Sequence, residues 1–249
     1  MNILICGMAG RMGREVERLC LEGYRDASPV AGFDILPVAD KPFPTYTDWN
    51  SIPAGTAIDC IIDFSNHAGT AAMLNFAVSR GLPSVIATTG HTPEELNTIK
   101  TASERIPVFH AANMSLGVAL LCELAKTTAK AFPDADIEII ETHHNRKLDA
   151  PSGTALLLAD AIREIREKAF YVFGRHGHAG RTPDEIGIHA VRMGNVIGEH
   201  EIIVGTDTQT ITLKHQAHNR ALFAEGAVAA AAYLVQQPAG LYNMQSMIG

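Results

Sequence analysis

Ile3-Leu-Ile-Cys-Gly-Met-Ala-Gly-Arg-Met-Gly13 runs from a short apolar segment into glycines spaced three apart. Ile3 to Cys6 has the length and composition of a buried strand. After the glycines comes a helical pattern with Val16, Leu19 and Cys20 on the inward stripe. Val30-Ala-Gly-Phe33 is the next apolar run, and it ends at Asp34. Strand, glycine turn, helix and strand make a βαβ unit, the setting in which such a turn binds a dinucleotide. Gly7 permits the tight turn, and a later glycine lets the backbone approach a pyrophosphate seated on the helix N-terminus. Gly7, Met8, Ala9, Gly10, Arg11, Met12 and Gly13 therefore form a candidate cofactor loop. Asp34, 21 residues beyond Gly13, stands where a carboxylate accepts bonds from ribose hydroxyls. Ala9 occupies the usual second-glycine position, so a tight turn without a ligand stays open as an alternative. Asp34 repels a 2′-phosphate, and Ile35 and Leu36 follow it with no adjacent cation, which leans toward NADH over NADPH. Arg11, Arg14 and Lys41 stay within sequence reach of a phosphate.

The alternation of strands and helices continues. Ile58 to Asp63 reads as a strand leading into a helix around Thr70 to Ser79, which Gly81 and Pro83 stop. Ser84 to Ala87 is the fourth strand. Thr92-Pro-Glu-Glu95 supplies an N-cap, a proline at the first helical position and a glutamate at the third. Pro107 to Phe109 is the fifth strand. This order predicts a doubly wound parallel sheet with helices on both faces, a Rossmann-type α/β domain. The character changes near Asn113. A long helix from Leu116 to Ala131 precedes the strand Ile137 to Ile140 and a helix whose stripe holds Leu158, Ala161, Ile162 and Ile165. A loop from Gly174 to Gly187 follows, then β-rich runs at Ile188 to Arg192, Glu199 to Val204 and Thr208 to His215. Strands this close imply mixed or antiparallel pairing, hence a second α+β domain. The last helix, Leu222 to Gln236, resembles a crossover helix that returns to the first domain. The expected division is a dinucleotide-binding domain of 1–113 with 221–249, and a substrate-binding and oligomerisation domain of 114–220.

Composition narrows the function classes. The chain has 249 residues and a net charge of −7, with no basic run, which argues against a nucleic-acid or membrane-surface role. No apolar run is long enough to span a bilayer. The chain enters its first strand straight after Met1-Asn2, with no cationic leader, and Cys6, Cys20, Cys60 and Cys122 lie far apart. Free core thiols in a reducing cytoplasm are the expectation.

The densest chemistry lies in Glu141-Thr-His-His-Asn-Arg-Lys-Leu-Asp-Ala-Pro-Ser-Gly-Thr-Ala155. It sits on a strand-to-helix loop, where a rigid scaffold presents side chains. Ser152 can cap the helix, while Gly153 and Thr154 bring its first backbone N–H groups to an anion. With His143, His144 and Lys147 alongside, the stretch suits an acidic substrate and proton movement. Strand alternation would turn His143 and His144 to opposite faces, so both meet one substrate only if regular pairing ends near Thr142. No third ligand stands at metal spacing, so no metal is expected. Asp149 is read as a local partner or turn residue, Arg146 as solvent-facing, and His176, His178, His215 and His218 as exposed.

The segment Glu141 to Ala155 resembles the signature of the dihydrodipicolinate reductase family. The likeness extends to Ala87-Thr-Thr-Gly90, Ala111-Ala-Asn-Met114, the strand end Asp63-Phe-Ser65, and Asn219-Arg-Ala-Leu-Phe223. The family pattern has a glycine where Ala87 stands. The resemblance implies NADH- or NADPH-dependent reduction of a cyclic imine-type dicarboxylate in lysine and diaminopimelate synthesis. It implies His143 as acid/base, Lys147 as proton donor, His144 as a substrate ligand, and Ser152, Gly153 and Thr154 as the clamp on a substrate carboxylate. Ala87, Thr88, Thr89, Ala111, Ala112, Asn113, Met114 and Arg220 join the cofactor set, with a domain junction as the other reading of Arg220 and Phe223. It also implies a homotetramer built through the second domain's sheet, and hinges that close the domains on the substrate. The rivals are another two-domain oxidoreductase, which need not carry His143, Lys147 and Ser152-Gly-Thr154 together, and a nucleotide sensor without turnover.

Overall fold

The computed structural model describes residues 1–248, which fall into two compact units, Met1–Ser115 with the chain from Ala221 onward, and Leu116–Arg220. The first unit opens with β1 (Asn2–Cys6), α1 (Arg11–Leu21), β2 (Ser28–Phe33) and β3 (Thr45–Tyr46). It continues with β4 (Cys60–Asp63), α2 (Thr70–Arg80), β5 (Ser84–Ile86), α3 (Pro93–Ser103) and β6 (Pro107–His110). The second unit holds α4 (Leu116–Ala131), β7 (Asp136–His143), α5 (Gly153–Arg163), β8 (Phe170–Phe173), β9 (Glu185–Arg192), β10 (Gly198–Gly205) and β11 (Thr210–Ala217). The chain then returns to the first unit through α6 (Ala221–Leu234) and β12 (Gly240–Tyr242).

The seven-stranded sheet of the first unit has the order β12-β6-β5-β4-β1-β2-β3, and every pairing in it is parallel. Its central strand is buried on both faces, which is why Ile3 to Cys6 reads as an unbroken apolar run. Leu4 and Cys6 join Met73, Leu74 and Phe76 of α2 and Ile99 of α3 in one core. The opposite face is covered by α1 and α6, which pack on each other. The chain order reverses between β1 and β4, and in an open parallel sheet that is where a ligand crevice forms. Thr92 makes the expected capping box with Glu95, and Gly81 ends α2 in the left-handed conformation (φ 66°).

The second unit carries a mixed sheet of order β11-β10-β7-β9-β8. Strand β7 pairs antiparallel with β10 and parallel with β9, so the expected mixed pairing is present. Its residues alternate between buried and half-buried, because α4 and α5 cover one face only. Ile137, Ile139, Ile202 and Val204 point into that core with Leu121, Cys122, Leu158 and Ile162. Sequence reading missed β8, β3 and β12, which are short edge strands. The expected loop from Gly174 to Gly187 ends earlier, since β9 starts at Glu185. Ile165 is not on the buried stripe: α5 stops at Arg163 and Ile165 is 40% exposed.

Candidate active site

In the first unit, the glycine turn fits a dinucleotide by its lack of space for side chains. Gly7 has φ 79°, and a Cβ there would lie 2.6 Å from the Phe64 carbonyl oxygen after β4. At Gly13 a Cβ would lie 2.3 Å from the Gly7 oxygen. No side chain among the described residues caps α1 and its first turn holds no acidic residue, so its N–H end suits an anion. Met8 is fully buried, with its Sδ where a Cβ on Gly32 would stand, so only its backbone can meet a cofactor. Asp34 braces the same turn: one oxygen accepts the Ala9 N–H at 2.9 Å and the other the Leu36 N–H at 3.2 Å. Arg11 and Arg14 are exposed, whereas Lys41 is held 2.6 Å from Glu17 and is not free to reach a phosphate.

A cavity of about 310 Å³ opens beside this turn, lined by Met12, Phe64, Ser65, Ala87, Thr88, Thr89, Ala112, Met114 and Phe223. Its floor is fixed by Asp63, a fully buried carboxylate that accepts from the Ser65 hydroxyl at 2.5 Å and the Thr88 hydroxyl at 2.9 Å. Ala111 and Asn113 flank the lining; the Ala111 N–H donates to Ile86 and the Asn113 side chain accepts the Ser115 N–H. A Cβ on Gly226 of α6 would meet the Met114 carbonyl oxygen at 1.7 Å, so the helix backbone itself supports this loop. All four cysteines are free and buried, and burial pushes their thiols up.

In the second unit, β7 pairs with β9 through His143, one residue beyond Thr142, where pairing would have to end for both histidines to meet one substrate. His143 therefore shares the inner face with Glu141, and His144 starts the loop. Glu141 is fully buried, and its oxygens accept from His143 Nδ1 (2.5 Å), both Arg192 Nη atoms (2.8 and 2.7 Å) and the Ser152 N–H (2.9 Å). Burial pushes this carboxyl up, but the bonds from His143, Arg192 and Ser152 outweigh it and bring it down to about 2. Ser152 caps α5 by accepting the Ala155 N–H at 3.1 Å, and its hydroxyl lies 3.0 Å from His200 Nε2. Burial, then the neighbouring His143, brings His200 down to about 4. Gly153 opens α5 with clear space around it, and Thr154 follows in the same turn.

Lys147 pairs with the mostly exposed Asp149 at 2.8 Å. Burial lowers His144, and Arg146, Arg220, His143 and Lys147 lower it further. Arg220 thus stands among the cations of the second unit, while Phe223 lines the cavity of the first. Arg146 is exposed and bonds Asn195. His176, His178 and His218 are exposed, but His215 is half-buried with a buried Nδ1, against expectation. Sequence reasoning gave no role to Glu141, Arg192 or His200. Glu141 could have been found, since a residue two before His143 on a strand shares its face; the other two are distant in sequence. No cluster of metal-ligand type occurs among the described residues.

Comparison with known proteins identifies the family. The family model for the dihydrodipicolinate reductase N-terminus matches residues 1–114, and that for the C-terminus matches 117–248. A 4-hydroxy-tetrahydrodipicolinate reductase of Clostridium tetani is 41% identical over 99% of this chain and 96% of its own. That of Caldanaerobacter subterraneus is 44% identical over 99% and 98%. The dipicolinate-bound dihydrodipicolinate reductase from Paenisporosarcina superposes with a TM-score of 0.82 at 27% identity, over 100% of this chain and 99% of that one. A myo-inositol dehydrogenase of Corynebacterium glutamicum shares only the fold, with a TM-score of 0.59 at 14% identity over 96% and 90%. Matched along both halves by these family models, the chain belongs to the dihydrodipicolinate reductase family.

Proposed function

We propose that this chain reduces 4-hydroxy-tetrahydrodipicolinate, by way of dihydrodipicolinate, to tetrahydrodipicolinate for lysine and diaminopimelate synthesis. The observation that carries the reading is the convergence of His143, Lys147 and the open start of α5 on one strand–loop–helix segment. The Gly7 to Gly13 turn, Asp34, Thr88, Thr89 and the Ala111 to Met114 loop would hold the dinucleotide. When bound, the reduced nicotinamide supplies the hydride. The chain's own part is to hold the dianion and deliver a proton. Gly153 and Thr154 offer backbone N–H groups to one carboxylate, with the Ser152 hydroxyl beside them. His144 orients the ring, and Lys147 and Arg220 add positive charge. Lys147 gives the proton, with His143 as acid/base partner.

Asp34 supports a preference for NADH, since its carboxylate opposes a 2′-phosphate and Lys41 is tied to Glu17. The face of the second sheet not covered by α4 and α5 carries Ile140 and Ile203 among charged neighbours, which supports assembly into a homotetramer through that face. No described helix is long and apolar enough to cross a membrane. A cytoplasmic location is inferred from the biosynthetic role and the free thiols.

The test is oxidation of NADH, and separately NADPH, with substrate generated in place by dihydrodipicolinate synthase. Oxidation that depends on the synthase and is blocked by dipicolinate is expected, faster with NADH. Folded protein that binds NADH but oxidises neither cofactor would overturn the proposal.

A further inference from the structure

Glu141, on β7, has a carboxylate that touches both halves of the proposed chemistry. One oxygen receives His143 Nδ1, the group assigned to proton transfer. The other receives the backbone N–H of Ser152, the residue that opens the carboxylate-binding helix. Arg192 clamps both oxygens, and its Nη2 also donates to the Asp149 carbonyl at 2.6 Å, which ties down the far end of the Lys147 loop. Sheet register creates the arrangement: His143 lies opposite Arg192 on β9, and Glu141 lies opposite His200 on β10.

An ionised carboxylate only accepts hydrogen bonds, so the imidazole nitrogen facing it must carry hydrogen. His143 is thereby restricted to the tautomer with a proton on Nδ1, and Nε2 becomes the atom that gains and loses one. Nε2 lies beside Gly198, where a Cβ would stand only 3.1 Å away, so glycine leaves the ring its room. A carboxylate buried this completely persists only when its partners are fixed, and four donors meet that demand.

We infer that Glu141, held by Arg192, is a positioning residue that fixes the tautomer of His143 and sets its distance from the start of α5. The inference rests on the role assigned to His143 above. It goes beyond a structural ion pair between β7 and β9, because a purely structural pair would hold the strands without deciding which nitrogen of His143 is protonated.

The test uses the full chain with Glu141→Gln, Glu141→Asp and Arg192→Lys. Side-chain ¹⁵N resonances of His143, assigned by comparison with His143→Asn, report the tautomer directly. The wild type should show the Nδ1–H form. Glu141→Gln should mix the tautomers and lower kcat about a hundredfold, the scale of general acid–base catalysis, with NADH affinity unchanged. Glu141→Asp, which keeps the charge, should recover part of both. If Glu141→Gln does not fold, Arg192→Lys should show a smaller change in the same direction. An Nε2–H form in the wild type overturns the inference, as does a loss of rate in a folded variant whose His143 tautomer is unmoved. His143→Ala turning over at the wild-type rate would instead remove the assigned role of His143 and leave the tautomer result standing.

Discussion

The Ser152 hydroxyl oxygen lies 3.0 Å from His200 Nε2 while accepting the Ala155 N–H at 3.1 Å. His200 Nδ1 is buried without a partner. A bare acceptor is easier to bury than an orphaned N–H, so the ring proton belongs on Nε2, pointing at Ser152. With two donors on its oxygen, Ser152 is left to donate its own hydrogen outward, which suits a substrate carboxylate. His200→Phe keeps much of the ring volume and removes the donor. It should raise KM for the dicarboxylate about tenfold, the worth of one good hydrogen bond, and leave kcat nearly unchanged. Steady-state kinetics decide it, and an unaltered KM would refute the orientation.

The same buried groups set the pH dependence of stability. His200 is lowered from 6.5 to about 4, mainly by burial, so the unfolded chain binds more protons than the folded one between those values. Stability therefore falls as pH drops through that window, by up to about 3 kcal/mol. Glu141 is lowered from 4.5 to about 2, so its contribution is present above 4.5 and is lost as pH falls toward 2. Calorimetric melting between pH 8 and about 3 should show Tm declining below about 6.5 and more steeply below 4.5. In His200→Phe the first decline should become shallower, with the lowered His110, His144 and His215 still contributing, while the second remains.

The glycines of the cofactor turn are not equivalent. A Cβ on Gly13 would press on the Gly7 oxygen at 2.3 Å and Met8 Cα at 2.6 Å, all backbone atoms that cannot move aside. On Gly10 the nearest atom is the Gly7 oxygen at 3.1 Å. Gly13→Ala should lose about 1–3 kcal/mol of stability through overpacking and most of its NADH affinity. Gly10→Ala should melt close to the wild type. Equal behaviour of the two in melting and NADH titration would contradict this reading of the turn.

How much was legible in the sequence follows from period and distance. Strand β1 could be read because burial on both faces demands an unbroken apolar run. Strand β7 was read from the apolar residues of Ile137 to Ile140, although Ile140 turns out to be only half-buried because one face alone is covered. Strand β8, with four half-exposed or exposed residues at a sheet edge, and β3 with two offer too few positions for any period to show. The stripe of α5 was overextended to Ile165 because apolar spacing alone does not mark where a helix stops. His143, Lys147 and Ser152 lie close in sequence, so their grouping was visible. Arg192 is 51 residues from Glu141 and His200 is 48 from Ser152; only sheet register brings them together. Lys41 shows the converse, since its pairing with Glu17 withdraws a cation that sequence had left within reach of a phosphate.

Under the proposed assignment Asp34 couples cofactor choice to the glycine turn, because the carboxylate proposed to oppose a 2′-phosphate also holds the Ala9 N–H. Asp34→Asn keeps an acceptor for that N–H and removes the charge. The ratio of kcat/KM for NADPH to that for NADH should rise about tenfold, as expected when one unit charge near a phosphate is neutralised at the protein surface. A ratio that stays put would show that Asp34 does not read the ribose.

Lys147 and Asp149 lie 2.8 Å apart, with the aspartate mostly exposed to solvent. The hydrogen bond from the Lys147 ammonium holds the Asp149 carboxyl below its ordinary value. An ion pair so exposed contributes about 0–1 kcal/mol, too little to withdraw Lys147 from a substrate. Asp149→Asn should therefore change kcat by less than about threefold. Lys147→Ala should lower kcat by about a hundredfold or more and leave NADH affinity intact. Lys147→Arg separates the two things a lysine can do here. A guanidinium keeps the positive charge proposed to hold the dicarboxylate but cannot release a proton in this pH range. Its KM should stay near the wild-type value while kcat remains as low as in the alanine variant. Recovery of kcat by arginine would mean that Lys147 acts through charge alone and that His143 delivers the proton.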